Sequence, residues 1–223
     1  SLATLHQEAV PYQKGNGGFG HGCGHNLLGA GSAAAGIALK ELVEKGELDA
    51  TVVVYGTPAE ETLEGKTLMV ENGYFRDVDV CLGWHPLDHN DPGEVKFKAC
   101  SAFTMKFHGK AAHACNCPEN GRSALDAVEL MNVSANYMRE HVIPDVRLHY
   151  TTICDCVPNV VPDECTVWYY IRAPKREDVD YVYLWLCDCA KGAALMTQTT
   201  FDIEFLTGCS NVMPNDVLEK VML

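Results

Sequence analysis

The stretch GHGCGHNLLGAGSAAAGIALKELVEK, residues 20–45, decides how this sequence is interpreted. Its glycine-rich beginning is a poor helix former and lets the backbone approach another group closely. Asn26 can cap a helix, which is predicted to run through Lys45 and to end at Gly46. Because apolar and small residues occur nearly all round this helix, we expect it to be buried between other elements.

Two short apolar runs follow the helix. Thr51–Tyr55 (TVVVY) and Val78–Trp84 (VDVCLGW) show no apolar–polar alternation, which is typical of buried parallel strands. A short helix is predicted between them, over Gly65–Gly73. Alternation of strands and helices indicates an α/β layer architecture.

The pattern changes after a polar, Pro- and Gly-containing stretch that ends at Glu94. The remaining elements follow the order β-α-β-β-α-β, which is that of a ferredoxin-like domain. They are predicted at Phe97–Phe107, Ser123 to about Val142, His149–Cys154, Glu164–Ile171, Glu177–Met196 and Thr200–Phe205. The fold class is therefore α/β, with a partial domain at 1–94 that continues at 210–223. An α+β ferredoxin-like domain at 95–209 is inserted into it.

The composition limits the classes of partner. The 223 residues carry a formal charge of −13, which argues against nucleic acid as a general partner. No apolar run approaches the roughly 20 residues that span a bilayer, and no signal peptide is visible at the start. We therefore expect a cytoplasmic protein without a membrane partner. Most of the 11 cysteines are expected to be small buried hydrophobes in a reducing compartment, with disulfides or sensing as the alternative.

Polar side chains that can bind a metal lie in the glycine-rich loop and directly after each of the two apolar runs. Cys23 and His25 share the loop, Glu60 and Glu61 follow the first run, and His85 follows the second. Each feature alone has a plainer interpretation: an incidental Cys and His in a turn, a solvated acidic loop, and a structural histidine. In α/β folds, however, ligands bind at the carboxyl ends of the strands, where these features are predicted to meet.

Together these residues predict a cocatalytic metal site. Cys23, His25, Glu61 and His85 would be ligands, and Glu60 would act as general base on a metal-bound water. Two ions at such a site lie about 3.5–4 Å apart. The thiolate favours zinc, whereas carboxylate and imidazole also accept manganese, so Zn²⁺ and Mn²⁺ both stay open.

The combination of motifs resembles the M20 family of metallopeptidases and amidohydrolases, and the likeness covers essentially the whole chain. The motifs that carry it are GHGCGHNLLG (20–29), the run ending in PAEE (51–61), GKTLMV (65–70), WHP (84–86), AAHA (111–114), GRSALDAV (121–128), PNVV (158–161), IRAP (171–174) and GAALMT (192–197). The resemblance implies a metal-dependent hydrolase of N-acyl or N-aroyl amino acids, with a substrate like aminobenzoyl-glutamate favoured.

The resemblance also implies roles for particular residues. Cys23 would bridge two metal ions, His25 and Glu61 would bind one each, and His85 would complete the ligands present. The inserted domain would act as a lid and dimerisation domain, in a homodimer or a heterodimer with a homologous subunit. His113 would reach from the lid of the partner subunit to stabilise the oxyanion.

The same resemblance suggests that two further lid residues hold a substrate that carries a carboxylate. Asn159 is one of these substrate-binding candidates. Arg172 is the other, and its guanidinium suits a carboxylate.

The sequence departs from the family pattern at one motif position. Asn26 stands where many relatives carry Asp, which removes a carboxylate that could orient His25. We also expect the chain to be truncated at both ends, because the family has strands before the glycine-rich loop and a last His ligand after the lid that are not found in these 223 residues. We therefore expect the 223-residue chain to be inactive by itself.

A non-catalytic partner or scaffold subunit that pairs through the lid is the alternative function, and a thiol-based redox or metal-storage role is a third.

Overall fold

The computed structural model describes residues 2–3, 19–90 and 97–222. The chain divides into two compact units, residues 1–91 and 92–223. The first unit contains β1 (Leu2–Ala3), β2 (Phe19–Gly20), α1 (His25–Glu44) and α2 (Gly65–Glu71). Among the described residues, no helix is both long and apolar enough to cross a membrane.

Helix α1 forms where the sequence predicts it, but its predicted burial is wrong. Gly24 precedes it with a φ of 70°, and Gly46 follows it with a φ of 73°. No residue of α1 is buried, and Ile37 is 64% exposed. The helix makes close contacts through glycine positions, and a Cβ at Gly31 would lie 2.5 Å from the Trp84 ring. Glycine therefore permits a close approach at such positions, while large apolar side chains elsewhere on α1 remain exposed.

The two apolar runs predicted as buried strands do not pair in the part of the chain that the structure describes. Residues 51–55 and 78–84 form no sheet there, and Val53 is 57% exposed. A strand needs a neighbour for its backbone N–H and C=O groups, and the only described sheet of this unit is the β1–β2 pair. A side-chain hydrogen bond connects the first of these segments to the rest of the unit: the Tyr55 hydroxyl donates to the Tyr74 carbonyl at 3.0 Å. The predicted short helix between them is present as α2.

The second unit has the predicted β-α-β-β-α-β order. Its elements are β3 (Ala99–His108), β4 (Ala112–His113), α3 (Ala124–Met138), β5 (Arg147–Ile153), β6 (Val160–Val161), β7 (Glu164–Ala173), α4 (Arg176–Thr197), β8 (Thr200–Cys209) and α5 (Asp216–Met222). Four strands form an antiparallel sheet in the order β5-β7-β3-β8, and β4 pairs with β6 beside it. The assignment of 95–209 as an inserted domain stays a prediction.

Helices α3 and α4 pack against each other and against this sheet. Helix α3 begins at an S-x-x-D capping box of the sequence, since Ser123 Oγ accepts the Asp126 backbone N–H at 3.1 Å. The core between helices and sheet consists of apolar side chains with almost no exposed surface. The largest are Tyr169, Phe103, Phe107, Met105, Met131, Ile171 and Leu186. Burial of these side chains is the main stabilising contribution in this unit.

Two phenylalanines of the sheet test this core. Phe103 is fully buried, whereas Phe205, opposite it on β8, is 58% exposed. We expect Phe103→Ala to lower the free energy of unfolding by about 3–5 kcal/mol, because it removes buried apolar contacts and leaves a cavity. The matched change Phe205→Ala should cost less than about 1 kcal/mol. Urea unfolding followed by circular dichroism measures both, and equal losses would contradict this core.

Candidate metal centre

The first unit brings together all five polar residues that the sequence selects around a metal. Ligand atoms of Cys23, His25 and Glu61 all lie within 4.8 Å of one another. His85 Nε2 lies 3.2 Å from Cys23 Sγ. Glu60 completes the group, with Oε2 3.1 Å from His25 Nε2. Residues separated by up to 62 positions in sequence thus meet at one place.

A close approach of two loops makes this meeting possible. Gly24 has a left-handed backbone, and a Cβ at this position would lie 2.5 Å from Pro86 Cγ. Only glycine fits both conditions, which explains the glycine between Cys23 and His25. On the other loop, His85 Nδ1 lies 3.0 Å from the Pro86 carbonyl oxygen. If Nδ1 carries the proton and donates it there, the lone pair of Nε2 faces Cys23, which is the arrangement that metal-bound histidines adopt.

The acidic loop has an unusual backbone. Ala59 and Leu63, on either side of the two glutamates, have φ values of 54° and 59°. A positive φ is uncommon for residues other than glycine and costs energy that the surroundings must offset. The Thr62 hydroxyl helps by donating to the Ala59 carbonyl at 3.1 Å. This turn directs Glu60 and Glu61 to the same imidazole, at 3.1 and 3.5 Å from His25 Nε2.

The charges of this cluster are not balanced by the described residues. Burial raises the pKa of the Cys23 thiol, and the Glu61 and Glu60 carboxylates raise it further. His25 Nε2 is buried and has no hydrogen-bond partner in the described structure, although both carboxylates are close enough for an ion pair. A buried ring nitrogen without a hydrogen bond is costly unless it binds something. The residues therefore fit a divalent cation, bound by thiolate, imidazole and carboxylate.

The second unit holds the three other candidates, and it brings two of them together. His113 lies on β4, opposite Val160 of β6, and the Asn159 carbonyl accepts the Ala114 N–H at 3.1 Å. His113 Nδ1 accepts backbone N–H groups from Cys115 and Asn116, at 3.2 and 3.3 Å. In the neutral ring the proton is therefore on Nε2, which can donate to a ligand.

Arg172 lies elsewhere on this unit. His113 and Asn159 belong to connections at the end of the sheet where β3 ends and β7 begins, whereas Arg172 is near the end of β7. Its guanidinium lies 4.7 Å from the centre of the Tyr170 ring, a cation–π contact. The structure does not bring Arg172 together with Asn159. Tyr170 was not selected from the sequence, although its position two residues before Arg172 on one strand face could have indicated it.

The cysteines differ from expectation. Of the nine free cysteines, only Cys100 and Cys165 are buried, so the prediction that most of the 11 are core residues is wrong. Cys154 and Cys156 form a disulfide, and disulfides were part of the alternative expectation for the cysteines as a group. The period of a helix or strand in the sequence could not distinguish buried from exposed cysteines, because several of them lie in loops, which have no regular period.

The sequence matches Peptidase family M20/M25/M40 over residues 3–219. The chain belongs to this family. Members are generally metal-dependent, in agreement with the donor atoms found here. The predicted resemblance is thereby confirmed, and with it a hydrolase family and a mixed helix-and-sheet fold of the M20 type.

Individual relatives agree with the family. The chain is 44% identical to one of the subunits of p-aminobenzoyl-glutamate hydrolase from Escherichia coli, over 100% of this chain and 47% of the relative. It is 36% identical to Xaa-Arg dipeptidase of Mus musculus, over 90% of this chain and 47% of that protein. The chain thus spans about half the length of these relatives.

A solved structure supports the same grouping. The aminobenzoyl-glutamate utilization protein from Klebsiella pneumoniae superposes with a TM-score of 0.62 and 25% identity. The match covers 74% of this chain and 43% of that one. The specific likeness to the aminobenzoyl-glutamate group, suggested by the motifs, is confirmed. Neither the relatives nor the geometry of the described residues favours the non-catalytic scaffold.

Substitution of the thiol tests the metal centre. We expect Cys23→Ser to weaken Co²⁺ or Zn²⁺ binding by about tenfold or more, because the substitution removes the soft sulfur donor from the three mutually close donor atoms. The thiolate-to-Co²⁺ absorption band should disappear with it. Cys81→Ser is the matched control, since Cys81 is a free, exposed thiol of the same unit and lies outside the cluster. A Co²⁺ band that survives in Cys23→Ser would show that the metal binds elsewhere.

Proposed function

We propose that the protein acts as a metal-dependent amidohydrolase that cleaves the amide bond of an N-acyl or N-aroyl amino acid. The observation that carries this proposal is the convergence of Cys23, His25, Glu61 and His85 around a buried imidazole nitrogen, with Glu60 at 3.1 Å. A carboxylate beside a metal cluster is suited to general-base chemistry. The names of the relatives, a glutamate-amide hydrolase and a dipeptidase, support the same bond type.

Two divalent ions, Zn²⁺ or Mn²⁺, are the proposed cofactors. Cys23, His25, Glu61 and His85 would hold them. The ions would supply the acidity that makes a bound water nucleophilic near neutral pH. Every other step falls to side chains of the protein.

Glu60 is the proposed base. One of its carboxylate oxygens would accept the proton of the attacking water, and the resulting carboxylic acid would pass that proton to the leaving amine. Its place at the edge of the cluster is consistent with this role, because Cys23, His25 and Glu61 form the mutually close set of ligand atoms. Both steps need only a proton movement at Glu60.

His113, Asn159 and Arg172 are proposed to act on the substrate. The neutral His113 ring with its proton on Nε2 is a donor, as an oxyanion requires. Arg172 is exposed and held over Tyr170, so its guanidinium can meet a substrate carboxylate.

We propose further that residues 95–209 form an inserted lid that also carries the dimer interface. Through it, His113 would serve the site of a partner, either a second copy or a homologous chain. The Escherichia coli relative is itself named as one subunit of a hydrolase, which supports the second possibility.

The favoured substrate resembles p-aminobenzoyl-glutamate, because two relatives carry aminobenzoyl-glutamate in their names. Release of p-aminobenzoate can be followed with the metal-loaded protein, in its longest natural form that contains these 223 residues. Hydrolysis of this substrate, and little of an analogue without the glutamate side-chain carboxylate, would support the proposal. Two bound ions per chain with no hydrolysis of any N-acyl or N-aroyl amino acid would overturn it.

Replacement of the base gives a sharper test. Glu60→Gln should lower kcat by about 10²–10⁴-fold, because the amide cannot accept the proton of the water. Metal content should stay unchanged. Glu64→Gln is the matched control, since Glu64 belongs to the same loop but not to the cluster. Wild-type turnover in Glu60→Gln would remove Glu60 from the mechanism.

The role of His113 has its own test. His113→Ala should lower kcat by about 10²–10³-fold with a smaller change in KM, because an oxyanion donor acts mainly in the transition state. His149→Ala provides the control, as His149 is another exposed histidine of the same unit. If subunits share sites, mixing inactive Glu60→Gln and His113→Ala proteins should restore part of the activity. No recovery on mixing would contradict a shared site.

A further inference from the structure

Two free cysteines face each other at one end of the main sheet. Cys100 of β3 and Cys209 of β8 are directly opposed partners in the antiparallel ladder. Opposed residues of such a ladder have Cα atoms about 4.5 or 5.5 Å apart and side chains on the same face. A disulfide requires a Cα separation of roughly 4.4–6.8 Å. Both kinds of ladder pair therefore lie within reach of a disulfide.

Local packing keeps the strands close at this point. A Cβ at Gly208 would lie 2.9 Å from the Cys100 carbonyl oxygen, so only glycine fits next to Cys209. One step farther out, the Val212 N–H donates to the Phe97 carbonyl at 3.2 Å. The thiol pair thus lies between these two backbone contacts, at the start of β3 and the end of β8.

The two thiols differ in exposure and surroundings. Cys100 is 4% exposed, whereas Cys209 is partly exposed. Burial raises the pKa of the Cys100 thiol, the Arg172 guanidinium lowers it, and the neighbouring Cys209 raises it. Arg176 also lies close, because its guanidinium donates to the Cys100 carbonyl at 2.9 Å. Cys209 is therefore the thiol that solvent reaches first, and Cys100 is the protected partner beside positive charge.

We propose that Cys100 and Cys209 are a site of reversible disulfide formation, oxidised by a small disulfide such as oxidised glutathione. The Cys209 thiolate attacks one sulfur of the oxidant, whose S–S bond breaks, and one glutathione leaves as a thiolate and takes up a proton. The Cys100 thiolate then attacks the Cys209 sulfur of the mixed disulfide and releases the second glutathione. One disulfide replaces another, and the two electrons pass from the cysteine pair to glutathione.

The chemistry is independent of the metal centre and of the proposed hydrolysis. The bridge would close a loop from residue 100 to residue 209, which contains every strand of the four-stranded sheet and both of its helices. Oxidation would thus link β3 covalently to β8, the first and last strands of the four-stranded sheet in sequence. By contrast, Cys165 lies opposite Phe107 in the ladder and has no cysteine partner there.

Tryptic peptides make the test direct. Cleavage after Lys98, Lys106, Lys191 and Lys220 places Cys100 alone in peptide 99–106 and Cys209 alone in peptide 192–220. The full chain is incubated with oxidised glutathione, alkylated to block remaining thiols, digested and analysed by mass spectrometry. We expect the two peptides as one linked species that separates on reduction, with loss of the alkylated forms of both.

Variants distinguish this bridge from general oxidation. Cys209→Ser and Cys100→Ser should each abolish the linked species, whereas Cys115→Ser should retain it, since Cys115 is an exposed free thiol of the same unit. The proposal is overturned if Cys209 is recovered only as its glutathione adduct while Cys100 stays alkylated. A link from Cys209 to any other cysteine would overturn it as well. Because the readout needs no turnover, the outcome is separate from that of the proposed hydrolysis.

Discussion

The close approach of the loop at 21–25 to the loop at 84–86 is the constraint on which the candidate metal centre depends. Gly24 lets the backbone turn in the left-handed region directly against Pro86, and this contact places Cys23 beside His85. Any side chain at Gly24 would push the loops apart, because a Cβ would lie 2.5 Å from Pro86 Cγ. Metal ligands tolerate displacements of only a few tenths of an ångström. The glycine is thus as much a part of the site as the ligands are.

His25 Nε2 distinguishes this cluster from a group of exposed polar side chains, because it is buried and has no hydrogen-bond partner among the described residues. Two carboxylates and a thiol surround it, and burial already favours the neutral thiol of Cys23. Negative groups in such proximity repel one another unless a cation compensates them. A bound cation would remove the repulsion, deprotonate the thiol and give the ring nitrogen a partner. Binding of a cation would thus satisfy Cys23, His25 and Glu61 together.

The second unit has its own architecture around β3, which pairs with β7 on one side and β8 on the other. Its helices cover one face of the sheet, so Arg172 and Tyr170 remain accessible on the opposite face. His113 and Asn159 are tied to each other by the short β4–β6 pair near the other end of β7. Rigid strands thus hold two separate groups of polar residues at a fixed spacing.

The sequence by itself determined the order of the main elements of the second unit, the start of α3 at its capping box, and the identity of the cluster residues. These features depend on local patterns: helical and strand periods, a serine three residues before an acid, and ligand residues after apolar runs. Only the tertiary structure decided that α1 is exposed, that His113 Nδ1 accepts two backbone N–H groups, and that Cys100 faces Cys209. Burial, tautomer and strand register depend on neighbours that are distant in the chain. A local pattern carries no information about such neighbours, and that is the physical reason for the difference.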